Sequence, residues 1–154
     1  MQQKMRGQIL AWTIAWEGSI MLTRIQAKKQ ITPRYCVVVA VSNTKKHLLD
    51  KLQEIAQCGH VQKGRKRRKE TYSQDWIWVV TKREDLKEFL SLILPYLPAK
   101  KEQAEIALQF VTRRLELTKE SWRGRWHRGV SSYTEEDEQV YKKMKELNRT
   151  GGSR

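Results

Sequence analysis

Cysteine is scarce in this chain: Cys36 and Cys58 are the only two among 154 residues. They form no CxxC pair and belong to no Cys/His cluster at zinc spacing, which argues against a disulfide scaffold or a metal finger and for a reducing compartment. The three histidines, His47, His60 and His127, are scattered singly and read as surface or packing residues rather than ligands. No apolar run reaches membrane-spanning length, and no basic helix carries a broad apolar face, so no membrane partner is expected. Internal repeats are lacking too, and the length suits one domain with a real core. Acids are outnumbered: 17 Asp and Glu stand against 31 Lys and Arg, for a formal charge of +14.

An excess of that size points to a polyanionic partner, nucleic acid rather than a small-molecule substrate. The N-terminal stretch "MQQKMRGQILAWTIAW" sets Lys4 and Arg6 before apolar residues, as a signal peptide does. It also contains Thr13, Trp12 and Trp16 and lacks a small-residue cleavage site, so it reads as mature structure of an intracellular protein, in cytoplasm, nucleoid or an organelle matrix.

Periodicity predicts a helix from about Met5 to Trp16, stopped by Gly18. "SIMLTRIQAKKQITPRYCVVVAVS" then reads as two strands about a turn at Thr32 and Pro33, the second dense in β-branched residues. A helix follows with Asn43 at its N-cap, Leu48, Leu49, Leu52, Ile55 and Ala56 on one face and Gly59 at its end. "HVQKGRKRRKETYSQDWIWVVT" repeats the hairpin logic with a basic tip from Lys63 to Lys69. A third helix is expected from Arg83 to Leu94, interrupted by Pro95 and Pro98, and a fourth from Lys100 to about Leu117. Residues 1–118 form the expected core. Residues 119–154 add a basic loop and a last helix, opened by Thr134 with Glu135, Glu136 and Asp137 in its first turn, to the same domain. The fold class is α+β: a four-stranded antiparallel sheet with helices on one face.

The other face is the first candidate site, because a ribbon of Lys, Arg, Gln and Thr can enter a major groove and present side chains to base edges. Arg24, Gln26 and Lys28 alternate along the first strand. Arg34, Gln62, Arg65, Lys66, Arg67 and Arg68 extend the positive surface, the last group toward phosphates. An ordinary solvated sheet face has a similar pattern; the net charge favours nucleic acid. "WRGRWHRG" reads equally as a backbone clamp or as a surface loop anchored by Trp122 and Trp126. Glu17 is the second candidate. An acid at a helix C-terminus opposes the helix dipole, and its plain reading is a rim acid paired with a lysine.

"LAWTIAWEG" resembles the nine-letter motif of the LAGLIDADG homing endonucleases, agreeing at Leu10, Ala11, Ile14 and Gly18. Glu17 stands at the place of that family's metal-binding acid. "GSI" before a basic hairpin, "VSNTKKHLLDKLQEI", "DWIWVV" and "LPYLPAKKEQAEIAL" resemble successive family segments in order, over residues 8–118, and "MKELN" near the C-terminus is similar as well. The resemblance implies an αββαββα fold and a site-specific endonuclease that cuts both strands of a long, pseudo-palindromic double-stranded DNA target as a homodimer. It implies Mg²⁺ as cofactor, with Mn²⁺ or Ca²⁺ as substitutes in binding, held by Glu17 and the Trp16 backbone carbonyl. Lys100 resembles the family's active-site lysine, and Asn43 with Lys45 or Lys46 falls where polar and basic residues line its cleavage pocket. Thr23 and Asp75 fall among its DNA-contacting positions.

Two departures bear on that reading. Small residues usually stand where this chain has Trp12 and Trp16, so two motif helices would pack on a face that includes Ala11 and Ala15 beside the tryptophans. Counting from the motif puts Met21, Thr23 and Ile25 on the DNA side, whereas polar alternation favours Arg24, Gln26 and Lys28; the polar set is preferred here. The alternative function is a non-cleaving binder on the same scaffold, either an RNA maturase that aids intron splicing or a DNA-binding regulator. A basic structural protein of the ribosome would explain the charge but not Glu17.

Overall fold

The computed structural model describes residues 2–26, 28–29, 33–65, 73–123 and 133–150. The chain runs α1 (Gln3–Glu17), β1 (Gly18–Ile25), β2 (Arg34–Asn43), α2 (Lys46–Ala56), β3 (His60–Lys63), β4 (Trp76–Val80), α3 (Arg83–Ile93), a 3-10 turn (Leu94–Tyr96), α4 (Lys101–Arg123) and α5 (Glu135–Thr150). Two antiparallel hairpins join through β2 and β4 into one sheet of order β1-β2-β4-β3. This is the α+β architecture that the hydrophobic periods imply. Among the described residues, no helix is long and apolar enough to cross a membrane.

Strict alternation in β2 sorts the sheet's two faces. Tyr35, Val37, Val39 and Val41 are buried toward the helices, and the residues between them are half-buried or exposed. Register carries the same parity across the sheet: Ile20 faces Val39, Leu22 faces Val37, and Val41 faces Trp78. Helices meet that face with Leu49, Leu52, Leu86, Leu90, Ile93, Ala104, Ala107 and Val111, all in one core with Leu10 and Ile14 of α1. Burying a side chain of this kind is worth about 1.5–3 kcal/mol, so this face fixes the register.

Two helix boundaries differ from expectation. Asn43 is the last residue of β2 rather than a helix cap; its Oδ1 accepts the Lys45 backbone N–H at 2.9 Å, and α2 begins at Lys46. The fourth helix runs on to Arg123, beyond the expected Leu117. The last helix closes a capping box at its start, with the Asp137 carboxylate accepting the Thr134 N–H at 2.8 Å. Asp137 is itself buried and paired with Arg113 of α4. Farther along α5, Met144 is buried in the core and Asn148 donates to the Ile20 carbonyl of β1 at 3.0 Å.

Candidate nucleic-acid interface and active site

At the junction of α1 and β1 the chain changes from helix to strand within one residue. Gly18 makes this compatible with packing: a Cβ there would lie 2.8 Å from Ile14 Cα and 2.9 Å from its carbonyl oxygen. Its φ of −97° is ordinary, so close approach and not backbone conformation demands the glycine. Glu17, the last helical residue, is exposed. Among the described residues, no hydrogen bond or ion pair occupies its carboxylate.

Lys100 explains how an acid is tolerated there. Its ammonium donates to the Ile14 carbonyl at 3.1 Å and to the Gly18 carbonyl, covering the negative end of α1. Burial lowers the Lys100 pKa from its ordinary value, and the Glu17 charge opposes that shift. Lys100 is also held at φ +63°, a left-handed conformation that costs a non-glycine residue roughly 1 kcal/mol. Its carbonyl accepts the Ala104 N–H at 3.0 Å, so this strained residue opens α4 while its side chain reaches back to α1.

Gly18 pairs with Val41, which sets Ser42 and Asn43 at the end of β2 alongside the α1–β1 junction. Asn43 is half-buried and Lys45 exposed. Lys46, the other basic candidate, is engaged with Asp50 at 2.8 Å and lies over the Trp76 ring, which leaves Lys45 the less committed charge.

The open face of the sheet carries Met21, Thr23 and Ile25 of β1, as counting from the motif indicates, and the preference for the polar set is corrected at Arg24. That residue shares the helix-side parity of Ile20 and Leu22, and its guanidinium lies 3.5 Å from Glu138 of α5. An acid of the last helix thus satisfies a charge at the rim of the helix-covered face. Glu138 also accepts the Tyr35 hydroxyl, whose pKa is pushed up to about 12 by burial and by that carboxylate.

Other basic and polar candidates lie on the strands or just beyond their ends. Gln26 and Lys28 are exposed just past β1, and Arg34 opens β2 opposite Ile25. Thr23 donates to the Cys36 carbonyl at 3.1 Å. On the outer strand, Gln62 is exposed opposite Ile77 and within 3.2 Å of His60 Nε2, an exposed residue that the sequence alone left as a surface or packing position. The period of two from Gln62 back to His60 was the available signal. Arg65 is exposed beyond β3; Arg67 and Arg68 lie outside the described residues. Asp75 is half-buried before β4, and its carbonyl accepts the Gly64 N–H at 2.7 Å.

On α1 the expected interface set divides. Ala11 is fully buried in the chain's own core, a correction to its placement on a surface, because it faces inward with Leu10 and Ile14. Ala15 is half-buried. Trp12 and Trp16 are 51% and 75% exposed and stack at 6.3 Å, and with Met5 and Ile9 they make an apolar stripe along the outside of the helix.

No family model matches the chain, and no curated protein matches it. Solved structures do. The homing endonuclease I-CvuI, in complex with the I-CreI target at 2 mM Mg with DNA not cleaved, is 24% identical; the match covers 95% of this chain and 96% of that one, with a TM-score of 0.63. The archaeal intron-encoded homing endonuclease I-Vdi141I, complexed with DNA, is 13% identical over 96% of this chain and 99% of its own, with a TM-score of 0.59. The LAGLIDADG homing endonuclease I-LtrWI, bound to target DNA, is 15% identical over 88% of this chain but 41% of its own, with a TM-score of 0.58. The chain therefore has the fold of the LAGLIDADG homing endonucleases.

Proposed function

We propose that the chain is a single-motif LAGLIDADG homing endonuclease, which as a homodimer hydrolyses both strands of a long, pseudo-palindromic DNA site with divalent metal ions. The observation that carries this reading is Glu17, an exposed carboxylate at the end of a helix whose inner face is buried, beside a lysine ammonium and at one end of an open sheet face. A protein that only binds DNA does not need the exposed acid, and would need Lys100 only as the cap of α1. The solved structures of this fold quoted above are complexes with DNA.

The donor set suits a hard cation. Among the described residues no three His, Cys, Asp or Glu gather to cage a metal. Glu17 with the Trp16 carbonyl offers oxygen alone, and Mg²⁺ commonly binds through one or two carboxylates while water and substrate phosphates complete its shell. Mn²⁺ or Ca²⁺ would substitute in binding. Bound there, such a cation supplies charge neutralisation at a scissile phosphate and an activated water. Lys100, with its ammonium fixed by two carbonyls, offsets charge that grows on the phosphate during in-line attack. Asn43, at the end of β2, and Lys45, just before α2, position water near that phosphate.

One chain supplies one Glu17, whereas cutting both strands needs two. A two-fold pair brought together along α1 would provide both and would cover the stripe of Met5, Ile9, Trp12 and Trp16 with its own copy. The ring pair requires a wider helix crossing than small residues would allow, with Ala15 at its margin.

The deciding experiment incubates the protein with a random double-stranded DNA library and Mg²⁺ and sequences the ends released. Defined double-strand cuts leaving 5′-phosphate and 3′-hydroxyl ends are expected. Specific duplex binding without cuts would make the protein a regulator, and preference for a structured RNA would make it a maturase.

A further inference from the structure

The open sheet face is less polar at its centre than a surface that reads DNA by hydrogen bonds alone. Register arranges it in cross-strand rows: Ser42, Ile77 and Gln62; then Ser19, Ala40, Val79 and His60; then Met21 with Val38; then Thr23 with Cys36; then Ile25 with Arg34. The Met21–Val38 row and its neighbours Ala40 and Val79 present no side-chain donor or acceptor. Met21, Val38 and Ala40 are half-buried on this face, opposite the core cluster, and Val79 beside them is 7% exposed. Polar and basic side chains flank this centre: Arg34 at one end and Gln62 and His60 along the outer strand, with Lys28 beyond the end of β1 and Arg65 beyond that of β3.

We propose that the Met21–Val38 row is a specificity element that recognises thymine by its C5-methyl group. This rests on the open face being the DNA-binding surface. In the major groove thymine alone presents a methyl group, and apolar side chains are its complement. The basic surround selects a polyanion over an apolar protein partner, and the methyl selects DNA over RNA, whose uracil lacks it. The row lies four residues along β2 from Ser42, one residue beyond Val41, which pairs with Gly18 next to Glu17. At ~3.4 Å per residue this is about 14 Å, or roughly four base pairs at 3.4 Å each. Each half-site should therefore contain thymine within a few base pairs of the cut, and Met21 and Val38 should set that preference.

The test uses the full-length protein and the duplex selected from the random library, measuring affinity by fluorescence anisotropy with Ca²⁺ present. Each thymine is replaced singly by deoxyuridine, which removes only the methyl. A loss of about threefold to fourfold per methyl is expected at the positions facing the row, from the transfer value of one buried carbon, and none elsewhere. Replacing deoxyuridine there by 5-methyldeoxycytidine paired with guanine should recover part of the affinity. In Val38→Ser, which removes both methyls from the row, the penalty for deoxyuridine should shrink while the native fold, followed by circular dichroism, persists; an undiminished penalty in the folded variant would overturn the assignment to this row. Salt-sensitive binding to the selected duplex with no deoxyuridine effect at any position would overturn this assignment and leave the DNA-binding reading standing. Absence of binding to any duplex would overturn both.

Discussion

The Lys100 ammonium lies 3.1 Å from the Ile14 carbonyl, and this contact joins residues 86 positions apart across the last turn of α1. It sets a fixed positive charge beside an exposed acid and stabilises the helix end that carries that acid. Structure and proposed chemistry therefore share one side chain.

Lys100→Met is expected to lower cleavage by about 10²-fold or more, the scale for removing one positioned charge-stabilising donor. It should also cost roughly 1–2 kcal/mol of stability, because the α1 carbonyls lose charged hydrogen bonds. Single-turnover cleavage and urea unfolding measure the two effects. A variant that is less stable but cuts at the wild-type rate would reduce Lys100 to a helix cap.

Glu17→Gln should reduce cleavage to background and leave specific duplex affinity within a few-fold, since the basic sheet is untouched. Gel-shift and cleavage assays on the same preparation check this. Wild-type cutting by the variant would remove Glu17 from the metal site.

Trp12→Glu should leave the fold intact and yield a monomer in sedimentation velocity, because Trp12 is half exposed on the outer stripe of α1. Ala11→Lys should instead unfold the chain, since Ala11 has no exposure and its replacement would bury an unpaired charge. A Trp12→Glu protein that remains a dimer would place the two-fold axis elsewhere.

Alkaline pH should destabilise the fold through Cys58 and Tyr35. Burial pushes the Cys58 thiol up from 9.0 to about 11, with Asp85 adding to the shift. The folded state thus retains a proton that the unfolded chain releases. The stability Cys58 contributes is fully present below pH 9 and is lost as pH rises from there toward 11. Tyr35, raised to about 12, acts in the same direction above pH 10. Urea midpoints for wild type and Cys58→Ala should converge with rising pH over that window. Parallel pH profiles would refute the Cys58 contribution.

Duplex affinity should fall by roughly a thousandfold or more between about 50 and 200 mM salt, as expected when six or more phosphate contacts release counterions. A dissociation constant that hardly changes with salt would exclude a backbone-tracking surface.

The sequence by itself determined the order of helices and strands, because each element buries one face and its period of 3.6 or 2 is therefore written into consecutive residues. The stop at Gly18, the alternation of β2 and the acid of Glu17 after an apolar helix were all local signals of this kind. Tertiary structure decided what depends on partners distant in the chain. Polar alternation assigned Arg24 to the open face, but parity follows the core, and the core takes Ile20 and Leu22; Arg24 then finds Glu138, more than a hundred residues later. Ala11 looked like an interface residue until α3 and the sheet enclosed its side of α1, leaving Trp12 and Trp16 outside. The pairing of Lys100 with the end of α1 also required the chain to close, because a side chain reaches only its spatial neighbours and one-dimensional periodicity records none beyond its own helix or strand.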